Sequence, residues 1–176
     1  LALGYSMVSR ADVLSPAGRE WFRWLDCIQK AVCSRYTGKE LVSFSHERGK
    51  RMEPGVVRAV YGNVSVVANL SSEPLREGNI EIAPEGFLVR SSGVTAGVIS
   101  GCGKFAGNGA FVAEDSVVNL FAAPGEQAVF PLPYSPRGLR SEAGPLKFRY
   151  ENGAVLCTLP AAEGTHKRLW KIEIER

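Results

Sequence analysis

The chain has 176 residues, of which 45% are hydrophobic and 22% charged, proportions that are typical of a globular protein. Its formal net charge is only +3, and residues 55–133 are acidic, with four Lys or Arg against seven Asp or Glu. There is no basic stripe interleaved with aromatic residues, and no apolar run approaches the ~20 residues of a membrane helix. We therefore expect neither nucleic acid nor a membrane as a partner.

The chain opens with Leu1 rather than Met, inside an apolar stretch. Residues 1–14 lack the charged start, apolar centre and small-residue cleavage site of a signal peptide. We interpret the chain as the tail of a longer protein, in which a last helix of an upstream element is followed by an all-β domain.

A helix is predicted over residues 15–36. Ser15 is a good N-cap and Pro16 suits the first helical position, while Gly38 is a natural stop. One broad apolar face is formed by Trp21, Trp24, Leu25, Ile28, Val32 and Tyr36. Such a face must be covered, and either the β domain or an upstream domain can cover it.

From Leu41 onward the chain consists of short β-branched runs separated by Gly, Pro and Asn. We predict strands at residues 40–46, 56–61, 64–70, 79–83, 86–90, 95–100, 117–122, 128–132, 146–150, 155–159 and 170–175. Gly62-Asn63 and Asn152-Gly153 are hairpin signals. The pattern predicts a mainly β fold, an antiparallel two-sheet sandwich preceded by one amphipathic helix.

A glycine-rich segment, residues 101–109, separates two of these runs. It does not match the G-x-G-x-x-G spacing of a dinucleotide-binding turn, and no strand and helix flank it in the required order. We predict that it is a flexible loop.

The four cysteines are interpreted as small apolar core residues. Cys27 and Cys33 lie six apart on the predicted helix, so their Cα atoms would be ~9 Å apart, too far for a disulfide. A bridge between Cys102 and Cys157 is left open. There is no C-x-x-C, and His46 and His166 are isolated, so no metal site is predicted.

No catalytic residues are predicted in this chain. Glycoside hydrolysis needs two carboxylates ~5–10 Å apart across a cleft. The candidate acids lie in turn-like or strand-edge positions and are interpreted as solvated surface residues: Glu114, Asp115, Glu81 and Glu85. A nucleophilic triad is not predicted, because there is no G-x-S-x-G and neither histidine has a placed partner.

Carbohydrate-binding residues are not identified by the sequence. The aromatic candidates on strands or loops are Tyr61, Phe111 and Tyr134, the last in a proline-punctuated loop that ends at Arg137. Trp21 and Trp24 can stack on sugar rings if exposed, but their helical spacing favours packing in a core. Asn63 and Asn69 begin glycosylation sequons that fall at predicted strand ends, where we do not expect acceptors.

Two stretches, VYGNVSVVANL at residues 60–70 and IAPEGFLV at residues 82–89, resemble the C-terminal end of large bacterial glycoside hydrolases. In that family a hairpin strand ends in Asn and is followed by an apolar-Pro-x-Gly-Phe strand. The segments FPLPY, residues 130–134, and AVLCTLP, residues 154–160, resemble late sandwich strands of fucosidase-type and related enzymes. Such enzymes have a catalytic (β/α)8 barrel that ends in a helix and continues into a β-sandwich.

The resemblance implies that residues 1–38 close an upstream barrel and that residues 39–176 form a non-catalytic sandwich bracing it. The family's acid and nucleophile lie on barrel strands, so no catalytic residue carries over, and enzymatic activity would belong to the parent glycoside hydrolase. No cofactor is implied. The expected partner is the upstream catalytic domain, with carbohydrate as a second, in a secreted or periplasmic setting if the parent degrades polysaccharides.

Two alternatives stay open. An independent carbohydrate-binding module would need aromatic side chains exposed on a loop or strand face. A structural module of a surface protein would predict tandem copies, and no internal repeat is visible in the sequence.

Overall fold

The computed structural model describes residues 14–48 and 55–176. It confirms the predicted fold class: the described chain is mainly β, with two antiparallel sheets and one long helix at its start. Residues 1–13 of the predicted helical segment lie outside the described residues.

The long helix spans residues 16–36, as the sequence predicts. It comprises α1 (Pro16–Ile28), a π-helical turn (Gln29–Cys33) and α2 (Ser34–Tyr36). The Ser15 hydroxyl accepts a hydrogen bond from the Gly18 N–H at 3.0 Å, which satisfies one of the otherwise unpaired N–H groups of the first turn. Gly38 follows the helix with a φ of 74°, a conformation that favours glycine.

The strands, in chain order, are β1 (Leu41–Glu47), β2 (Val56–Tyr61), β3 (Val64–Asn69), β4 (Leu75–Glu77), β5 (Ile80–Ile82), β6 (Phe87–Ser91), β7 (Val94–Cys102), β8 (Phe105–Glu114), β9 (Val117–Ala122), β10 (Gln127–Pro131), β11 (Gly138–Ser141), β12 (Gly144–Pro145), β13 (Phe148–Glu151), β14 (Ala154–Thr158) and β15 (Arg168–Glu175). Both predicted hairpins are confirmed. β2 pairs with β3 through Gly62-Asn63, and β13 pairs with β14 through Asn152-Gly153.

A large sheet has the strand order β1-β2-β3-β6-β7-β8-β9-β15-β11-β12, with β4 and β5 attached beside β7. A small sheet has the order β10-β14-β13. Every pairing between described strands is antiparallel. The central strands of the large sheet alternate between two buried clusters, one on each face.

The long helix covers one face of the large sheet. Trp24 is only 2% exposed and stacks on Phe121 of β9, with ring centroids 5.8 Å apart. At the other end of the helix Tyr36 stacks on Tyr61 of β2, with centroids 5.4 Å apart. Of the two covers that the sequence left open, the large sheet is therefore the one observed. The assignment of residues 1–38 to an upstream barrel stays a prediction, without support from an uncovered apolar face.

The small sheet covers the opposite face and corrects the prediction of a flexible loop at residues 101–109. That segment completes β7, turns at Gly103-Lys104 and begins β8. A Cβ atom at Gly109 would overlap the backbone carbonyl oxygen of Val129 in β10. The glycines are therefore strand residues that allow a second backbone to approach closely.

The sequence did not predict β4, β11 or β12. These strands have two to four residues each, which is too short for an alternating pattern to be recognised. They form because neighbouring strands supply the hydrogen-bonding partners, as β15 does for β11.

The two stretches that carry the family resemblance contact each other. Asn69, at the end of β3, is fully buried, and its side-chain amide donates to the carbonyl oxygens of Glu73 at 2.7 Å and Ala83 at 3.0 Å. Its backbone N–H donates to the Gly86 carbonyl at 2.9 Å. A Cβ at Gly86 would overlap the carbonyl oxygens of Val98 and Ala83. The Asn and the Gly of this pattern thus have structural roles, and Asn69 is inaccessible as a glycosylation acceptor.

Candidate functional site

The largest concave surface of the described chain, which we call the helix-end groove, has a volume of about 810 Å³. It lies between α1, the β11–β12 turn and the start of β15. Its lining residues are Glu20, Arg23, Asp26, Cys27, Asn119, Ser141, Glu142, Ala143, Arg168, Leu169, Trp170 and Lys171. Most of them carry groups that donate or accept hydrogen bonds, so the groove suits a polar ligand or a polar protein surface.

Glu20 attaches the helix to the last strand at the wall of the groove. Its carboxylate accepts a hydrogen bond from the Leu169 backbone N–H at 2.9 Å and pairs with Arg23 at 3.0 Å. The Glu20 side chain is 17% exposed, whereas that of Arg23 is 70% exposed. Because both carboxylate oxygens have partners, Glu20 holds the wall in place, and Arg23 keeps further donors available to a ligand.

The floor of the groove is formed by β9 and β15. Asn119 lies directly opposite Lys171 in the antiparallel pairing of these strands. Trp170, next to Lys171, is 6% exposed and donates its indole N–H to the Ala122 carbonyl at 3.0 Å. The Arg168 guanidinium lies 3.8 Å from the centroid of the Trp170 ring. This tryptophan therefore supports the floor and offers no open ring face for stacking on a sugar.

The thiol in the groove is not an activated nucleophile. Burial raises the pKa of Cys27 to about 11, and the carboxylates of Glu114 and Asp26 raise it further in the same direction. A nucleophilic thiol needs a lowered pKa. All four cysteines are free, so the Cys102–Cys157 bridge that the sequence left open is not formed.

The carboxylates considered as catalytic candidates lie apart and have structural partners. Glu114 faces Arg35 at 4.0 Å, and Asp115 pairs with Arg176 at 3.7 Å. Glu81 accepts a hydrogen bond from the Ser100 hydroxyl at 2.7 Å. Glu85 is exposed in a turn, with a φ of 56°.

The aromatic candidates for carbohydrate binding are largely covered. Phe111 is 0% and Tyr61 is 7% exposed, so neither presents a ring to solvent. Tyr134 is half-buried, donates its hydroxyl to the Asp115 carbonyl at 2.6 Å and lies under the Arg176 guanidinium. Of the helix tryptophans, Trp24 is in the core, and half-buried Trp21 packs edge-on against Phe121.

Metal binding and membrane insertion find no structural basis within residues 14–48 and 55–176. That part of the chain contains no group of three or more His, Cys, Asp or Glu side chains placed to hold a metal ion. Nor does it contain a helix long and apolar enough to span a membrane. His46 and His166 are both exposed, and Asn63 is exposed at the tip of the β2–β3 hairpin.

Sequence reasoning missed the helix-end groove because its walls come from distant parts of the chain. Glu20 and Leu169 are 149 residues apart, yet they share a hydrogen bond. One signal was visible: Glu20 lies at the start of a helix and is followed by Arg23, but this spacing is also typical of a solvated ion pair.

Comparisons with models of protein families, with curated protein sequences and with solved structures found no match to this chain.

Proposed function

We propose that this chain is the non-catalytic β-sandwich region of a bacterial glycoside hydrolase, where it braces the catalytic barrel. The observation that carries the proposal is the unit formed by Asn69 and Gly86. The two stretches that resemble the family are twelve residues apart between their facing ends, and they meet through three hydrogen bonds of Asn69. A pattern whose members depend on one another in space is stronger support than the same letters scattered over a surface.

The chemistry of the described residues agrees with a non-catalytic role. The acids of the helix-end groove include one that is committed to the β15 backbone and one, Asp26, that pairs with Lys30 at 2.7 Å. The groove carries three basic and three acidic side chains. Such a balanced polar surface is typical of contacts between domains of one chain.

A gene-level experiment tests the proposal most directly. The coding sequence upstream of the Leu1 codon is expected to encode a (β/α)8 barrel with a pair of acidic residues at strand ends. That barrel, produced alone and together with this chain, is expected to unfold at a higher temperature when the chain is present, because binding to the native state stabilises it. An upstream sequence without a barrel, or an unchanged melting temperature, would contradict the proposal.

A second candidate function is carbohydrate binding in the helix-end groove, which is favoured by its volume of about 810 Å³ and its many hydrogen-bonding side chains. Isothermal titration of the chain with soluble oligosaccharides tests it. A bracing domain gives no heat of binding below millimolar sugar. A binding module gives a micromolar ligand whose affinity falls at least tenfold in Asn119→Ala and is unchanged in Asn63→Ala, an exposed control away from the groove.

A further inference from the structure

The two end strands of the large sheet differ in how well they are protected. β12 has two residues and contains Pro145, and a short edge strand with proline resists pairing with another chain. β1 has seven residues, pairs with β2 and is the first strand in the sheet order. Within the described residues, the other side of β1 faces no strand.

β1 is also apolar where edge strands usually carry protective charge. Leu41 is 46%, Val42 is 65% and Phe44 is 48% exposed. Leu41 lies opposite Tyr61 and Phe44 opposite Ala59 in the pairing with β2, so both side chains are on the face of the sheet that the long helix covers elsewhere. No Lys or Pro occurs in residues 41–47. A long exposed apolar edge of this kind is a template for pairing.

We propose that this edge binds a second copy of the chain, with the two β1 strands antiparallel across a twofold axis at Phe44. This inference is independent of the proposed glycoside hydrolase origin. A twofold axis is the simplest way to close an interface made by one surface with itself. The alignment places Phe44 of each copy against Phe44 of the other, on the same face, where paired aromatic rings stabilise adjacent strands.

The charges that flank β1 select this alignment. With Phe44 opposite its counterpart, Glu40 of one copy lies opposite Arg48 of the other, at both ends of the strand pair. Shifting one strand by a residue toward its start instead opposes Glu40 to Glu47 and Lys39 to Arg48, which are like charges. Like charges directly opposite each other destabilise a strand pair. All four side chains are exposed.

The contact is short, and we expect a weak dimer. The pairing of β1 with β2 has an irregularity between Leu41 and Ser43, which leaves five residues in regular register. An interface of this size is at the low end for specific complexes, so we expect a dissociation constant of about 10–100 µM.

Sedimentation equilibrium of the 176-residue chain between 5 µM and 1 mM tests the proposal. The wild-type chain is expected to shift from monomer to dimer over this range. Phe44→Lys is expected to raise the dissociation constant at least tenfold, while Leu14→Lys, at an apolar position 82% exposed at the far end of the helix, leaves it unchanged. A wild-type chain that stays monomeric at 1 mM, or a dimer that Phe44→Lys does not weaken, overturns the proposal.

A charge exchange tests the alignment without altering the apolar contact. Glu40→Arg is expected to weaken the dimer several-fold, because it opposes two arginines at each end. The double variant Glu40→Arg/Arg48→Glu is expected to restore wild-type affinity. Circular dichroism checks that each variant is folded. If the double variant dimerises no better than Glu40→Arg, the twofold alignment at Phe44 is wrong.

Discussion

The two faces of the large sheet are covered in different ways. On one face, the long helix is held at a distance by large side chains, above all Trp24 stacked on Phe121. On the other, β10 of the small sheet approaches β8 so closely that Gly109 has no room for a Cβ beneath Val129. The helix side therefore depends on side-chain volume, and the small-sheet side depends on its absence.

The largest effect is expected where this contrast is sharpest. Gly109→Ala places a methyl group against the fixed backbone of β10, which cannot move without separating the two sheets. We expect a loss of about 4–5 kcal/mol of unfolding free energy, measured by urea denaturation. Ala106→Val, at an exposed position of the same strand, is the matched control and is expected to change stability by less than about 0.5 kcal/mol. Equal effects would show that the close approach does not constrain the fold.

On the helix side the damaging change is the removal of atoms. Trp24→Ala leaves a cavity between α1 and Phe121, and we expect a loss of about 3–4 kcal/mol by the same measurement. Trp21→Ala removes a half-buried ring from the same phenylalanine and is expected to cost about half as much. A smaller loss for Trp24 than for Trp21 would mean that the helix is not seated on the sheet as described.

A polar contact also holds the helix to the sheet. Glu20→Ala removes the acceptor of the Leu169 N–H at the rim of the helix-end groove, and we expect a loss of about 1–2 kcal/mol. Asp26→Ala breaks an exposed pair with Lys30 and is expected to cost under about 0.5 kcal/mol. Thermal unfolding ranks the two variants, and a reversed order would contradict the role assigned to Glu20.

The smallest effect concerns pH. Burial raises the pKa of Cys27 from 9.0 to about 11, of Cys102 to about 11 and of Cys157 to about 12. In the unfolded chain these thiols ionise near pH 9, so their contribution to stability is complete below that pH and declines as the pH rises toward 11. A disulfide reagent at pH 8 is expected to label the native protein slowly, with Cys27 first, and the denatured protein at once. Rapid labelling of native Cys102 or Cys157 would contradict their burial.

The local elements of the fold could be read from the chain because short-range chemistry controls them. Ser15-Pro16 and Gly38 bound the helix as expected, and Gly62-Asn63 and Asn152-Gly153 turn two hairpins. The alternation of Trp170, Ile172 and Ile174 identified the last strand, whose buried positions these are. Each of these signals acts over a few residues, within which backbone conformation and side-chain direction are largely determined.

The candidate site was decided by contacts between distant segments. No local pattern indicates that Glu20 meets Leu169, and residues 101–109 resemble a loop until β10 is placed over Gly109. The cover of the helix was also undetermined, since an apolar helical face has the same sequence whichever surface it meets. The sequence by itself determined which segments are helical or extended, because that preference is set by neighbouring residues. Only the tertiary structure decided which surfaces are buried and which remain available, because burial depends on partners far away in the chain.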